Sequence, residues 1–328
     1  MNNEMSVRDT VLTFLENNRG EYISGEKIAS SVGVSRNAVW KAIRQLQAQG
    51  HKIHSSTKKG YCLDSQNDIL SKQSIEKHLT TSIFDIEVVK SVSSTNTVMR
   101  QRAESGEYEG AVLIAEEQTQ GRGRLGRDFF SPSNTGIYMS VLLRPYIPAE
   151  KSVMITTCAA VAVAEAIEEV AKKEAKIKWV NDIFCGERKV CGILTEAALA
   201  VESGTLAYAV LGIGINVFPP ENAFPSELEG IADSVFDSCD TVENPRSLLI
   251  ARVLENFWKY YEDIESRPHF DEYKKRSMVL SSPITVISGK EKFDATAIDL
   301  DENFNLKIML PSGEARSLNS GEVSIRKK

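Results

Sequence analysis

The sequence predicts a multidomain α+β chain in three parts: a small helical head ending in a two-stranded wing, a central mixed α/β sheet domain, and a small all-β tail. Three observations carry this. The 328 residues exceed what one ordinary hydrophobic core holds. Apolar periodicity is helical near the N-terminus, alternates between strand-like and helix-like from about Leu70, and becomes short and strand-like from about Ser281. Charge divides the same way, with a net +3 in residues 1–64 inside a chain of net −6. The boundaries expected are 1–64, 65–280 and 281–328.

In the head, Val7, Val11, Phe14 and Leu15 share one helical face. Ser24 precedes a second helix over Glu26–Ser31, and Gly33 supplies a turn needing positive φ. Ser35 then caps a third helix from about Arg36 to Gln49. Val39, Ala42, Ile43 and Leu46 bury that helix and leave Arg36, Asn37, Lys41 and Arg44 outward. His51–His54 and Gly60–Leu63 form the wing, with Lys58 and Lys59 at its tip. This is a winged helix-turn-helix. Between Lys27 and Leu63 there are seven bases and no acid, so the expected partner is DNA, with Ser35, Arg36, Asn37, Lys41, Arg44, Lys58 and Lys59 as contact candidates. The other reading is a three-helix protein-interaction domain with a solvated basic face. Asp64–Asp68 reads as a polar linker.

Composition excludes several classes. Five cysteines without CxxC spacing and four histidines without an HExxH pattern predict a reducing cytoplasm and no structural zinc. The first 18 residues hold acids and no apolar core, so no secretory leader is expected. Val153–Val170 is apolar but interrupted by Glu165, Glu168 and Glu169, which predicts a buried helix with a wet face and no membrane span.

In the middle, strands are expected at Ile86–Lys90, Val112–Glu116, Ile137–Leu143, Ile177–Val180, Ile183–Cys185, Lys189–Glu196 and Leu206–Asn216. Helices are expected after Asn96, over about Ala149–Lys173, and over Arg246–Glu262. Gln118-Thr119-Gln120-Gly121-Arg122-Gly123-Arg124-Leu125-Gly126-Arg127 interleaves glycines with arginines between two strands. Glycine permits close backbone approach and arginine neutralises phosphate or carboxylate, so the segment is expected to be a mobile lid that orders over an anion. A solvated RG-type tether is the alternative. No GxxxxGK[ST] occurs, and Gly212-Ile213-Gly214-Ile215-Asn216 lacks a third glycine and a helix, which argues against a dinucleotide fold. Its glycines are read as marking close approach by ligand or neighbouring backbone. Lys178-Trp179-Val180-Asn181-Asp182 and Arg188-Lys189-Val190-Cys191-Gly192 place Lys189 at the start of an apolar strand, its ammonium toward the sheet end.

Ser94-Thr95-Asn96, GRGRLGR, KWVND, RKVCGIL and GIGIN, in this order, resemble the biotin protein ligases, and the winged head resembles the bifunctional ligase/biotin-operon repressor family. The resemblance implies a biotin/lipoate-ligase-like catalytic domain and an SH3-like β-barrel in the tail. It implies that Ser94, Thr95, Asn96 and Gln118 line a biotin pocket, and that Arg122, Gly123 and Arg124 cover the biotin carboxylate and adenylate phosphate. Lys189 would lie between carboxylate and α-phosphate. Asn181 and Asp182 would sit near the triphosphate, Mg²⁺ and incoming lysine. Gly192, Gly212, Gly214 and Asn216 would lie beside the nucleotide, Phe129 against adenine, and Glu322 and Arg326 in the closing motif. Lys189, Arg122 and Asp182 carry the implied catalysis. Biotin and ATP are the implied ligands. The implied partners are a biotin carboxyl carrier protein of acetyl-CoA carboxylase or another biotin-dependent carboxylase, operator DNA, and a second copy of the chain when the adenylate is bound.

The sequence departs from the family pattern at Val180 (usually proline), at Phe129 (usually tryptophan) and at Ala297–Asn303, which replaces a glycine-rich segment. Two rivals stand beside this reading: a DNA-binding sensor without chemistry, and a lipoate- or other acyl-adenylating ligase.

Overall fold

The computed structural model describes residues 5–200, 202–238, 242–288, 291–319 and 321–325. They form two compact units, one of the described residues up to Thr80 with those from Ser238 to Ala251, the other of Thr81–Asp237 and Arg252 onward.

The first unit begins with α1 (Val7–Glu16), α2 (Gly25–Val32) and α3 (Arg36–Ala48). Ser6, Ser24 and Ser35 each accept a backbone N–H of the first turn that follows, satisfying donors no intrahelical carbonyl can reach. Gly33 ends α2 at φ 71°. Val11, Leu15, Ile28, Val39, Ile43 and Leu46 make a shared core. β1 (Ile53–Ser56) and β2 (Gly60–Leu63) pair antiparallel, and Ile23 bridges to Tyr61. The helix-turn-helix and wing are as expected.

The segment after the wing differs from a free linker. Asn67 is buried, its Oδ1 accepting from the Lys52 amide and its carbonyl from Arg19. Asp68 holds the buried Arg246 at 2.5 Å. Glu16, itself buried, pairs with Arg19 at 2.7 Å and with Lys77 just after α4 (Lys72–Glu76) at 3.2 Å. The polar residues that look like solvated linker are spent on internal bonds, which composition alone does not reveal.

The second unit is built on a seven-stranded sheet. Its strands are β3 (Asp85–Val92), β4 (Ala111–Gln118), β5 (Gly136–Leu143), β6 (Ala175–Lys178), β7 (Asp182–Cys185), β8 (Arg188–Ala200) and β9 (Thr205–Asn216), in the order β3-β4-β5-β9-β8-β7-β6. Only β3 and β4 run parallel, joined through α5 (Thr95–Glu104), while the rest pair antiparallel. β5 is buried along its whole length, matching its unbroken apolar run. α5 packs on β4, β5 and β9, and α6 (Val153–Ala171) on β6, β7 and β8. α6 is shorter than expected because Ala149–Lys151 makes a separate 3-10 turn and Lys172 turns left-handed at φ 54°. Trp179 and Val180 leave the strand to form the β6–β7 turn.

α7 (Pro245–Tyr261) follows, its residues to Ala251 counting with the first unit, and Leu249, Val253, Phe257 and Tyr260, spaced along one helical face, are buried. α8 (Phe270–Arg276) was not legible, since seven residues with five charges carry no periodicity. The tail is a five-stranded antiparallel sheet of β10 (Pro283–Ser288), β11 (Glu291–Leu300), β12 (Leu306–Met309), β13 (Ala315–Leu318) and β14 (Glu322–Ile325), ordered β13-β12-β11-β10-β14. Phe304 joins it to the main sheet, its carbonyl accepting from Trp179 Nε1 at 2.9 Å.

His269 precedes α8 with no solvent exposure, stacked on Phe304 at 4.9 Å and bonded through Nε2 to Thr157 Oγ1 at 3.0 Å. Burial lowers its pKa to about 3. The folded protein therefore resists protonation that the unfolded chain accepts near pH 6.5, so stability is full above that pH and falls below it. Urea denaturation at pH 7.5 and 5.5 should show wild type losing about 1.4 kcal/mol more than His269→Gln. Equal losses would contradict a neutral buried imidazole.

Candidate active site

The C-terminal ends of β3 and β4, the N-terminus of α5, the β7–β8 hairpin, the ends of β8 and β9 and the start of β14 surround one cleft of about 610 Å³. Ser94, Thr95, Asn96, Gln118, Arg122, Gly123, Arg124, Phe129, Asn181, Asp182, Lys189, Gly192, Gly212, Gly214 and Asn216 all line it. Arg326 lies outside the described residues.

One wall is a chain of hydrogen bonds. Gln118 Oε1 accepts from the Thr95 amide at 2.8 Å and from its hydroxyl at 3.1 Å, while Gln118 Nε2 donates to Ser131 at 3.0 Å. Asn96 Oδ1 accepts from Ser140 at 2.6 Å. Both amides are thereby fixed in orientation. Ser94 caps α5 without a side-chain bond to its first turn.

The glycines of the floor do mark a close approach, and of the two expected sources the neighbouring backbone is not the one found. A Cβ on Gly212 would collide with the Asn96 amide, and one on Gly214 with the Phe129 ring. The close approach comes from side chains, not from a neighbouring backbone. Phe129 lies against Gly192 and Gly214 and edge-on to Tyr138, with ring centroids 6.4 Å apart. Asn216 Nδ2 donates to the Asp233 carbonyl at 3.1 Å.

Lys189 is re-aimed by a β-bulge, since Ile183 pairs with Cys191 but Phe184 with Lys189. Its backbone is pinned by bonds with Ile231 and Asp233, both 2.9 Å. Its ammonium meets Asp182 at 2.7 Å. Gly192 leaves room for the lysine stem, which lies 3.3 Å from where a Cβ would stand. Asn181 is buried, donating to the Ile193 carbonyl at 2.9 Å and accepting from Arg124 at 2.8 Å. Tyr273 of α8 bonds the Val180 carbonyl at 3.1 Å and so fixes this turn.

The arginine segment is folded back on itself, with Gly123 N bonded to Arg127 O at 2.7 Å and Phe129 N to Gly121 O at 2.9 Å. Each of its arginines has a protein acceptor. Arg122 pairs with Glu196 at 3.0 Å, Arg124 with Asn181, and Arg127 with Glu322 at 2.8 Å. The segment is thus a folded loop and not a disordered tether, with Arg122 and Leu125–Asp128 still exposed to solvent.

Sequence reasoning missed several lining residues. Lys178 was quoted only within a motif, yet it faces the cleft, where burial lowers its ammonium pKa against the pull of Asp182. Tyr138, Phe224, Glu227, Leu228 and Ile231 line it too and carried no local signal, nor did Glu196, which stands behind the lining and contacts Asn96 and Arg122. Ala297–Asn303 does not line the cleft; the tail reaches it through Ile287 and Gly321–Ser324. Cys191 is fully buried and burial pushes its thiol up, so no thiolate nucleophile is available there.

In the first unit, Ser35, Arg36, Asn37, Lys41 and Arg44 lie exposed along α3, and Lys58 and Lys59 at the wing tip. Lys59 sits 5.5 Å over the Tyr22 ring. Trp40, half exposed between Asn37 and Lys41, is an addition to that face. Among the described residues no helix is long and apolar enough to cross a membrane.

Two family models match: the biotin/lipoate A/B protein ligase family over residues 88–216, and the HTH domain over residues 7–62. The bifunctional ligase/repressor BirA of Bacillus subtilis is 36% identical over 260 residues, 79% of each chain. Its Escherichia coli namesake is 26% identical over 308 residues, 94% of each chain. A solved biotin protein ligase from Aquifex aeolicus, in complex with biotin and ATP, superimposes with TM-score 0.60 at 26% identity, covering 74% of this chain and 99% of that one. A ligase domain with this cleft, carried behind a helix-turn-helix head, places the chain in the family of bifunctional biotin ligase/repressors.

Proposed function

We propose that the cleft joins biotin to ATP and passes the biotinyl group to a lysine of a biotin carboxyl carrier protein, and that the head binds operator DNA as part of a dimer when the adenylate is bound. The division of labour would follow residues 1–64, 65–280 and 281–328. The observation that carries the reading is the convergence of Lys189, Arg122 and Arg124 on a single cleft floored by glycine.

A carboxylate and a triphosphate repel one another, so their reaction needs fixed positive charge between them. The biotin carboxylate oxygen would attack the α-phosphorus as the bond to pyrophosphate breaks. Lys189 and the two lid arginines are suited to stabilise the charge that develops. Asp182 holds the Lys189 ammonium in place. In the second half-reaction the acceptor amine attacks the carbonyl, AMP leaves and an amide forms. Asp182 is the candidate to take or orient the amine proton. Ser94, Thr95, Asn96 and Gln118 would read the vitamin ring. Phe129 and the strand Gly212–Asn216 would lie against the nucleotide.

Among the described residues no group of three or more His, Cys, Asp or Glu converges as a metal site, and Asp182 is already paired. Mg²⁺ would arrive on the triphosphate, as part of the MgATP substrate, with Asp182 as the candidate protein contact.

Mass analysis of the product from biotin or lipoate with MgATP should find biotinyl-adenylate alone. A lipoyl product would support the related ligase, and no product the DNA-binding sensor. Lys189→Gln should lower biotin-dependent ATP–pyrophosphate exchange by about 10²–10³-fold, whereas unchanged exchange would remove Lys189 from the mechanism. For the head, Lys41→Ala should weaken operator binding and reduce the log K–log salt slope by about 1. Binding that is unaffected by this change, or by the adenylate, would overturn the repressor half.

A further inference from the structure

Glu196 on β8 holds two parts of the cleft with one carboxylate. Its Oε1 lies 3.0 Å from Arg122 Nη1 of the lid, and its Oε2 accepts from Arg122 Nη1 at 3.3 Å and from Asn96 Nδ2 at 3.0 Å. Its side chain is 21% exposed and that of Arg122 43%. Arg100 of α5 stands 4.0 Å from the same Oε1.

Asn96 is 4% exposed. Its two N–H groups are committed, one to Glu196 and one to the Leu194 carbonyl at 3.3 Å. Only its Oδ1, already accepting from Ser140, has capacity left, so the Asn96 side chain can offer a ligand an acceptor and no donor. The orientation that makes it an acceptor depends on Glu196.

Building on the function proposed above, we propose that Glu196 is a positioning residue with two tasks: it latches Arg122 while the cleft is empty, and it fixes Asn96 as an acceptor for a ligand N–H throughout. A carboxylate offers about four acceptor directions, so Arg122 can leave for an anionic ligand without disturbing the bond to Asn96. Arg100 then remains as the nearest counterion. A ligand must consequently bring both an anion, to draw off Arg122, and an N–H donor, to meet Asn96. An acid lacking the donor would open the latch without filling the ring subsite.

Two variants separate the tasks. Glu196→Gln keeps an oxygen for Asn96 but removes the negative charge that pairs with Arg122, whereas Glu196→Ala removes both. Trypsin needs the Arg122 side chain free, so without any ligand the Arg122–Gly123 bond should be cut about threefold faster in Glu196→Gln, with cleavage elsewhere unchanged. By calorimetry, biotin affinity should rise about threefold in Glu196→Gln, because no protein carboxylate competes for Arg122. In Glu196→Ala it should fall about tenfold, because Asn96 loses an acceptor for a buried donor. Unchanged cleavage of the Arg122–Gly123 bond, or an equal effect of the two variants on affinity, would overturn the latch. A wild type that binds no biotin would instead overturn the function it rests on, and the ligand-free cleavage would still judge the latch.

Discussion

Among the described residues five cations, Lys178, Lys189, Arg122, Arg124 and Arg127, stand around one cleft, and four of them, all but Lys178, have a protein group close by against which to place their charge. In this protein the places are Asp182, Glu196, Asn181 and Glu322. These pairings let an anion-binding site exist before its anions arrive. They are partly exposed, so each is worth little to stability, and giving one up for a phosphate or carboxylate costs correspondingly little. That balance suits a site whose ligands must displace protein partners.

The sheet supplies the geometry. The β7–β8 hairpin carries Asp182 and Lys189 on adjacent strands, and the bulge beside Lys189 turns its ammonium to the carboxylate. β9 places Gly212 and Gly214 where Asn96 and Phe129 come down on the strand, so the floor is closed by side chains from α5 and the lid's far end. The tail sheet contributes by backbone and by Glu322, and it is fastened to the β6–β7 turn through Trp179 and Phe304. The amides of Asn96 and Gln118 are fixed by internal bonds, a preorganisation that spares the ligand that ordering cost.

Much of this was legible in the sequence because the relevant signals are local. Serine caps, Gly33 and the helical spacing of Val39, Ala42, Ile43 and Leu46 announce the head within a short stretch of chain. The glycine–arginine alternation and the lysine beside a glycine hairpin announce the cleft, since few other chemistries need those residue types together. What stayed hidden depends on distance along the chain. Glu196 reads as one more polar residue in a strand until α5 and the lid are brought to it. Asn67 and Asp68 read as solvent-facing until Arg19 and Arg246 arrive. Gly212 and Gly214 suggested close approach, but which group approaches is a property of the fold.

The same economy bears on how one chain serves two roles. On the function proposed above, a lid that exchanged Glu196 and Asn181 for ligand oxygens would change its charge and surface together, giving ligand occupancy a physical route to whatever binds that surface. The measurement closest to the central claim is a crystal structure of the protein with a non-hydrolysable analogue of the biotinyl adenylate. The account predicts Lys189 Nζ and the Arg122 and Arg124 guanidinium groups at about 3 Å from the ligand's carbonyl and phosphate oxygens, with Glu196 and Asn181 relieved of their arginines. An analogue bound with those cations still on their protein partners, or seated outside the glycine floor, would contradict it.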